Sequence, residues 1–401
     1  VTMRRALLSM ASVLLLCVLV TGCGGEVNDE ADGPARGSVV SVTPVFEMTG
    51  AETAGYLAEW KYPVAVANGV RAHRVLYETV AADGTPTTAS GLVVIPDTDA
   101  PRLRLVSYAH GTTVRRDEAP SADGETERAR TVQFAAAGYA AVAPDYLGLG
   151  EGPGFHPYAH APTEGSASAD LLLAARSLLA DQDRELDPNV LVTGFSQGAQ
   201  AALALGRELN GGAVEGFGLA ATAAVSGAYA VQEVQAPSAL DGRVESRRAV
   251  LFLGYWITAM NRIYHLYDDP AQAFRPPYAQ RIEALFDGRH DLLAVSSGLP
   301  ATPEKLLTAQ FLELARNPTG AALRAMADSD TVCDWTPKTP VRLFAARGDR
   351  SVPFENSQRC MKAELGGSAE LVDLGDIDHG ETVRVALPQI LDWFRRTQPP
   401  A

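Results

Sequence analysis

The stretch Asn189-Val-Leu-Val-Thr-Gly-Phe-Ser-Gln-Gly198, running on into Ala199-Gln-Ala-Ala-Leu-Ala-Leu-Gly-Arg-Glu-Leu209, decides how this chain reads. Residues 189–193 are an apolar run of strand type, the pentapeptide Gly194-Phe-Ser-Gln-Gly198 fits Gly-x-Ser-x-Gly, and residues 199–209 are rich in helix formers. Strand, sharp turn and helix in that order hold a serine in a strained bend at the end of a strand. The glycines two positions either side let helix and strand approach with no side chain between them. Ser196 is thereby a candidate nucleophile; the competing reading is an ordinary serine in a glycine-rich turn. A serine hydroxyl needs a base within hydrogen-bond reach and a third group to orient that base. The rest of the chain therefore decides between the two readings.

Upstream, residues 69–80 and 87–96 are β-branched and alternating, with Asp83-Gly84 between them, which is the pattern of a hairpin. Residues 103–108 form a third strand that runs into Ala109-His-Gly-Thr-Thr113. A helix over 125–137 closed by Gly138, a strand over 139–143 and a helix over 163–180 lead to the strand before the pentapeptide. Strands alternating with helices of this length predict an α/β fold with a mostly parallel central sheet flanked by helices. Downstream, 218–231 reads as one more buried strand. From 232 to 340 the period turns helical, over 247–267, 278–286, 303–316 and 320–327, with Pro and Gly between. So long a strand-poor segment between two sheet strands predicts an inserted helical cap. Its apolar side chains, at 251–257 and at Phe311-Leu312, either line a substrate pocket or form the cap's own core. Strands over 341–346 and 370–374 and a helix over 381–397 complete the core. The expected organisation is a first core part over 41–231, the cap over 232–340 and a second core part over 341–401.

The N-terminal end reads differently. Arg4-Arg5, an apolar run over 6–20 and then Thr21-Gly22-Cys23 have the layout of a signal peptide, too short for a membrane span. The tetrad Val20-Thr-Gly-Cys23 resembles a bacterial lipobox, with Val where Leu is usual, so residues 1–22 are expected to be a lipoprotein signal peptide and Cys23 the lipidated residue. The small and acidic stretch that follows predicts a flexible tether over 23–40. The chain carries 34 Lys and Arg against 48 Asp and Glu, a net charge of −14. An acidic surface repels phosphate backbones, so nucleic acid is not an expected partner. With Cys17 in the signal peptide and Cys23 lipidated, Cys333 and Cys360 remain, and in an exported protein they are expected to form a disulfide.

Three histidines follow Ser196. His265 and His290 fall in the expected cap, whereas His379 sits in Asp376-Ile-Asp-His-Gly380 just after the last strand, which makes it the candidate base. The candidate acid is Asp349, just past strand 341–346; Asp376 and Asp378 compete but lie close to His379 in sequence, and Asp328, Asp330 and Asp334 precede the strand. Acyl transfer also needs donors aimed at a developing oxyanion. One candidate is the backbone N–H of Gln197, and the other is the N–H of Gly111 or of Thr112 in the turn after the third strand. His110 is read as a structural hydrogen bonder of that turn. The run 145–154 fails the Gly-x-Gly-x-x-Gly fingerprint and reads as a flexible turn beside the cleft. His156 and His160 have metal-like spacing, but Pro157 argues against a helix presenting both, so no metal site is assigned.

Six stretches stand in order: Tyr108-Ala-His-Gly-Thr112, Asp145-Tyr-Leu-Gly-Leu-Gly150, His156-Pro-Tyr158, Gly194-Phe-Ser-Gln-Gly198, Gly348-Asp349 with Val352-Pro353, and Asp378-His-Gly380. With them the chain resembles the α/β-hydrolase superfamily, and within it the secretory lipase group that includes Candida antarctica lipase A, in a bacterial lipoprotein form. The resemblance runs from about residue 40 to 398 and implies a helical cap over an acyl tunnel. It also implies carboxylic-ester hydrolysis without a cofactor, with Ser196 as nucleophile, His379 as base and Asp349 as orienting acid. An exported serine esterase or lipase acting on small-molecule or lipid esters is the resulting expectation, as a monomer held to the cell envelope by its lipid. The alternatives are a peptidase or amidase on the same residues, or a surface lipoprotein that binds a hydrophobic ligand without catalysis.

Overall fold

The computed structural model describes residues 34–62 and 64–401. The expected signal peptide, Cys23 and residues 23–33 of the expected tether lie outside the described residues. Residues 34–40 already belong to the folded body, which corrects the expected end of the tether. Arg36 pairs with Asp170 at 3.1 Å, the Gly37 N–H donates to the Glu78 carbonyl, and the first strand begins at Val39.

Nine strands form one mixed sheet: β1 (Val39–Met48), β2 (Val70–Val80), β3 (Pro86–Pro96), β4 (Arg102–Ala109), β5 (Ala140–Pro144), β6 (Glu185–Phe195), β7 (Gly218–Val225), β8 (Val341–Ala345) and β9 (Ala369–Asp373). Their order is β1-β2-β3-β5-β4-β6-β7-β8-β9, antiparallel from β1 to β5 and parallel from β5 onwards. Helix α1 (Gly50–Glu59) follows β1 and opens with a capping box between Thr49 and Glu52. The crossovers are α2 (Glu125–Ala136), α3 (Ala161–Ala180), α4 (Gln197–Gly211) and α13 (Glu355–Cys360), and α14 (His379–Thr397) ends the chain.

The period of two in the strands explains the layers. Val190 and Val192 of β6 face one apolar cluster with Leu171, Leu203 and Leu343, while Leu191 faces the other with Phe134, Ile390 and Phe394. Each such buried side chain stabilises the fold by about 1.5–3 kcal/mol. The chain goes from β4 to β5 on one side of it and then to β6 on the other. At such a switch point, helices on opposite faces leave a crevice at the carboxyl ends of the strands. The turn after β4 and Ser196 after β6 both lie there.

Between β7 and β8 the described residues hold helices and one isolated bridge. The helices are α5 (Ala236–Asp241), α6 (Ser246–Tyr264), α7 (Pro270–Ala273), α8 (Ile282–Leu285), α9 (Leu292–Gly298), α10 (Pro303–Leu306), α11 (Ala309–Arg316) and α12 (Gly320–Asp330). They enclose their own core, in which Phe274, Ile282 and Leu306 are fully buried. The helix expected over 303–316 is two, because Leu307 pairs with Phe274 and Thr308 then caps α11. The strand expected over 218–231 stops at Val225, where Ser226 takes φ 51° and the chain turns away from the sheet. Cys333 and Cys360 are joined in a disulfide, tying the end of the helical segment to α13.

Candidate active site

Ser196 closes β6 with φ 57° and ψ −120°, a conformation outside the ordinary regions for a residue with a side chain. Such a bend survives only where its surroundings impose it, and the flanking glycines show how. A Cβ on Gly194 would overlap the Gly198 carbonyl, and a Cβ on Gly198 would overlap the Ala109 carbonyl at the end of β4. The pentapeptide pattern is thus the imprint of helix α4 pressed against two strand ends.

His379 is the first residue of α14, with Asp378 as its N-cap accepting from the Glu381 N–H at 3.0 Å. Its Nε2 lies 2.9 Å from Ser196 Oγ and its Nδ1 lies 2.7 Å from Asp349 Oδ2. With Nδ1–H donating to the carboxylate, Nε2 is left as the acceptor facing the serine hydroxyl. Asp349 is buried, and its other oxygen, Oδ1, accepts from the N–H groups of Ser351 at 2.8 Å and Val352 at 2.9 Å. Those two bonds orient the carboxylate so that Oδ2 points at the imidazole. Asp376 makes no hydrogen bond to His379, and Asp378 is occupied by its cap. Asp328 accepts from the Tyr264 hydroxyl and Asp330 from the backbone of Val231 and Gln232, so neither competes.

The segment that carries Asp349 is gripped by the helical segment. The Glu245 N–H donates to the Arg350 carbonyl at 2.8 Å, Gln235 Nε2 donates to the Ser351 carbonyl at 2.9 Å, and Arg248 donates to Ser351 Oγ. An apolar cavity opens beside Ser196 and Gln197, lined by Phe252, Leu253, Trp256, Ile257 and Phe311 among others. Leu251, Tyr255 and Leu312 instead belong to the core of the helical segment, where Tyr255 stacks between Tyr158 and Phe286 at 4.2 and 4.6 Å.

Gln197 follows Ser196 as the first residue of α4. Among the described residues, no acceptor meets its backbone N–H or those of Gly111 and Thr112. Gly111 sits against the Phe195 ring, which a Cβ would approach to 3.2 Å. His110 is fully buried, with Nδ1 2.8 Å from the Gly111 carbonyl and Nε2 3.3 Å from that of Asp145. Thr112 Oγ1 lies 3.0 Å from the Tyr158 hydroxyl.

The 145–154 run differs from the flexible turn expected of it: residues 145–149 are buried. Asp145 is held at 2.5 Å by Ser90 Oγ and at 2.9 Å by the Ser121 N–H, and burial pushes its carboxyl up. Gly148 and Gly150 have positive φ, and a Cβ on either would overlap Phe155 or Asp145. The glycines serve close approach in a rigid knot. Sequence reasoning also passed over Glu164, in the first turn of α3 and 1% exposed. Gln197 Nε2 donates to its Oε1 at 2.7 Å and to His156 Nε2 at 2.8 Å. A carboxyl in the first turn of a helix reads as an ordinary helix-start residue and carries no sequence signal of burial. His156 and His160 do not converge: His160 contacts Thr163 and Tyr264. No group of three or more metal-ligating side chains occurs among the described residues.

No family model and no curated protein matches the sequence. Solved structures do. A hydrolase structure from Legionella pneumophila is similar at 24% identity, over 90% of this chain and 98% of that one, with a TM-score of 0.83. The rice cell wall degrading esterase LipA from Xanthomonas oryzae is 28% identical over 91% of this chain and 99% of its own, with a TM-score of 0.80. Candida antarctica lipase A is 16% identical over 90% and 83%, with a TM-score of 0.65. With its nine-stranded mixed sheet flanked by helices and its likeness to these hydrolase, esterase and lipase structures, the chain has the α/β-hydrolase fold.

Proposed function

We propose that this chain is an exported serine hydrolase of carboxylic esters, working through an acyl-enzyme. The observation that carries the reading is the line Ser196 Oγ, His379 Nε2 at 2.9 Å, His379 Nδ1 and Asp349 Oδ2 at 2.7 Å. Ser196 Oγ attacks the ester carbonyl as His379 Nε2 takes its proton, and Asp349 stabilises the imidazolium that forms. The tetrahedral oxyanion is met by the Gln197 N–H together with that of Gly111 or Thr112, each donor worth about a hundredfold to a thousandfold in rate. His379 then protonates the leaving alcohol, and water, activated by the same imidazole, releases the acid. The apolar cavity beside Ser196 accepts the acyl chain. The N-terminal pattern ending in Cys23 supports export with a lipid anchor in the cell envelope, and the reading is of a monomer whose partner is its ester substrate.

The test is turnover of p-nitrophenyl esters of increasing chain length by residues 24–401, beside Ser196→Ala. Activity is expected to fall on the order of a millionfold in the variant. Equal turnover by the two proteins would sink the assignment of Ser196. Faster cleavage of matched anilides than of esters would move the reading to an amidase, and no turnover of either would leave a binding protein.

A further inference from the structure

The Glu164–Gln197–His156 cluster lies one residue from the proposed nucleophile, and the reaction just described does not use it. His156 Nδ1–H donates to the Leu147 carbonyl at 3.0 Å, so its Nε2 is an acceptor. Gln197 must therefore present its amide nitrogen to both His156 and Glu164, which fixes the side chain's orientation and leaves its oxygen free to accept. Two oxygens are left over: Gln197 Oε1 and Glu164 Oε2 are both shut off from solvent and both lack a hydrogen-bond donor among the described residues. The Ala159 N–H favours an ionised Glu164 but reaches no hydrogen-bonding geometry with Oε2. Two buried acceptors without a donor are costly, and water does not reach either of them.

We propose that Glu164 is a neutral, proton-carrying positioning residue whose Oε2–H donates to Gln197 Oε1, so that an acid–amide pair clamps the side chain of the residue that supplies an oxyanion donor. Rigid placement of a donor matters because its value depends on where the charge develops. Burial supports the neutral form, pushing the carboxyl up to about 8 against the opposing pull of the Gln197 amide and the Ala159 backbone. Of the groups around it, only Glu208 is a carboxyl shifted the same way. On the 146–160 segment, burial lowers His156 to about 3 and His160 to about 4 and raises Tyr146 and Tyr158. Asp328 of α12 acts on His160, and Glu208 of α4, lifted by burial to about 7, sits against Gly165 on α3. Above neutral pH the clamp loses its proton and Gln197 loses its second bond to Glu164.

This inference rests on the esterase reading for its kinetic test. The kcat of the wild type for a p-nitrophenyl ester is expected to fall as pH rises through about 8, with KM little changed. Glu164→Gln keeps one donor and one acceptor at every pH and removes that alkaline limb. Glu164→Ala lowers kcat about tenfold at all pH values, and Glu164→Gln recovers most of the loss. A second reading needs no turnover. The infrared absorption of protonated carboxyls is expected to lose its component titrating near 8 in Glu164→Gln, leaving that of Glu208 and Asp330 near 7. Should that variant not fold, the wild-type band titrating near 8, above Glu208 and Asp330 near 7, reports the same proton. Stability follows the same sign. A carboxyl raised above its unfolded value contributes fully below the ordinary glutamate range and loses that contribution as pH rises through about 8. The wild-type Tm therefore declines over that window more than the Tm of Glu164→Gln. An alkaline limb retained by Glu164→Gln, or a wild type with no carboxyl band titrating near 8, overturns the proposal. Absence of turnover in the wild type strikes the esterase reading and leaves the infrared arm standing.

Discussion

The sheet and the helical segment between β7 and β8 contribute to the crevice in different ways. The sheet delivers groups by its strand ends. Ser196 follows β6, Asp349 follows β8, His379 follows β9, and hydrogen bonds inside the Asp349 turn aim its carboxylate. The helical segment delivers no member of that line. It supplies the apolar cavity wall and grips the Asp349 turn from outside through Gln235, Glu245 and Arg248. The difference teaches that chemistry here is placed by short local turns on a rigid layer. The apolar cavity wall, and the firmness of one of those turns, are placed by a second core packed over it.

Three changes test that division, in falling order of effect. Asp349→Asn leaves the shape of the core turn but presents the wrong partner to His379 Nδ1, and kcat is expected to fall on the order of ten-thousandfold with the fold retained. Steady-state kinetics with circular dichroism read both parts, and a loss under tenfold would mean that another acid serves. Replacing Cys333 and Cys360 by Ser removes the covalent tie across 27 residues of sequence and is expected to cost about 2–4 kcal/mol of stability. A single calorimetric transition moved downward would show the two cores melting together, whereas a new early transition would show the helical segment melting alone. Arg248→Ala removes one outside grip on the Asp349 turn. A fall of about tenfold in kcat with little change in KM is expected, since misplacing a catalytic group is costlier than the lost contact itself. A rise in KM alone would instead make the helical segment a binding element only.

Much of this arrangement was legible. The alternating strands, the crossover helices and the order Ser196, Asp349, His379 follow from period-two and helical patterning and from glycine-flanked turns, which are local signals. β1 and α1 were missed for a physical reason. β1 is an edge strand exposed over most of its length, held by main-chain pairing with β2 more than by an apolar face. The break of residues 303–316 into α10 and α11 depends on Leu307 meeting Phe274, a contact 33 residues away along the chain. The 145–154 run was misread because its glycines signal freedom in isolation, while Ser90 and Ser121, distant in sequence, turn them into a close-packed knot around Asp145.

By itself the sequence determined the α/β alternation, the strained bend at Ser196 and the residues available at the strand ends, because each is encoded within a few neighbouring positions. Tertiary structure decided the rest. Only the folded chain selects Asp349 over Asp376 and Asp378, because hydrogen-bond distance and direction to an imidazole are set by the sheet order. Only the folded chain makes Glu164 a buried partner of Gln197, because the ionisation of a carboxyl is governed by the burial that distant helices impose on it.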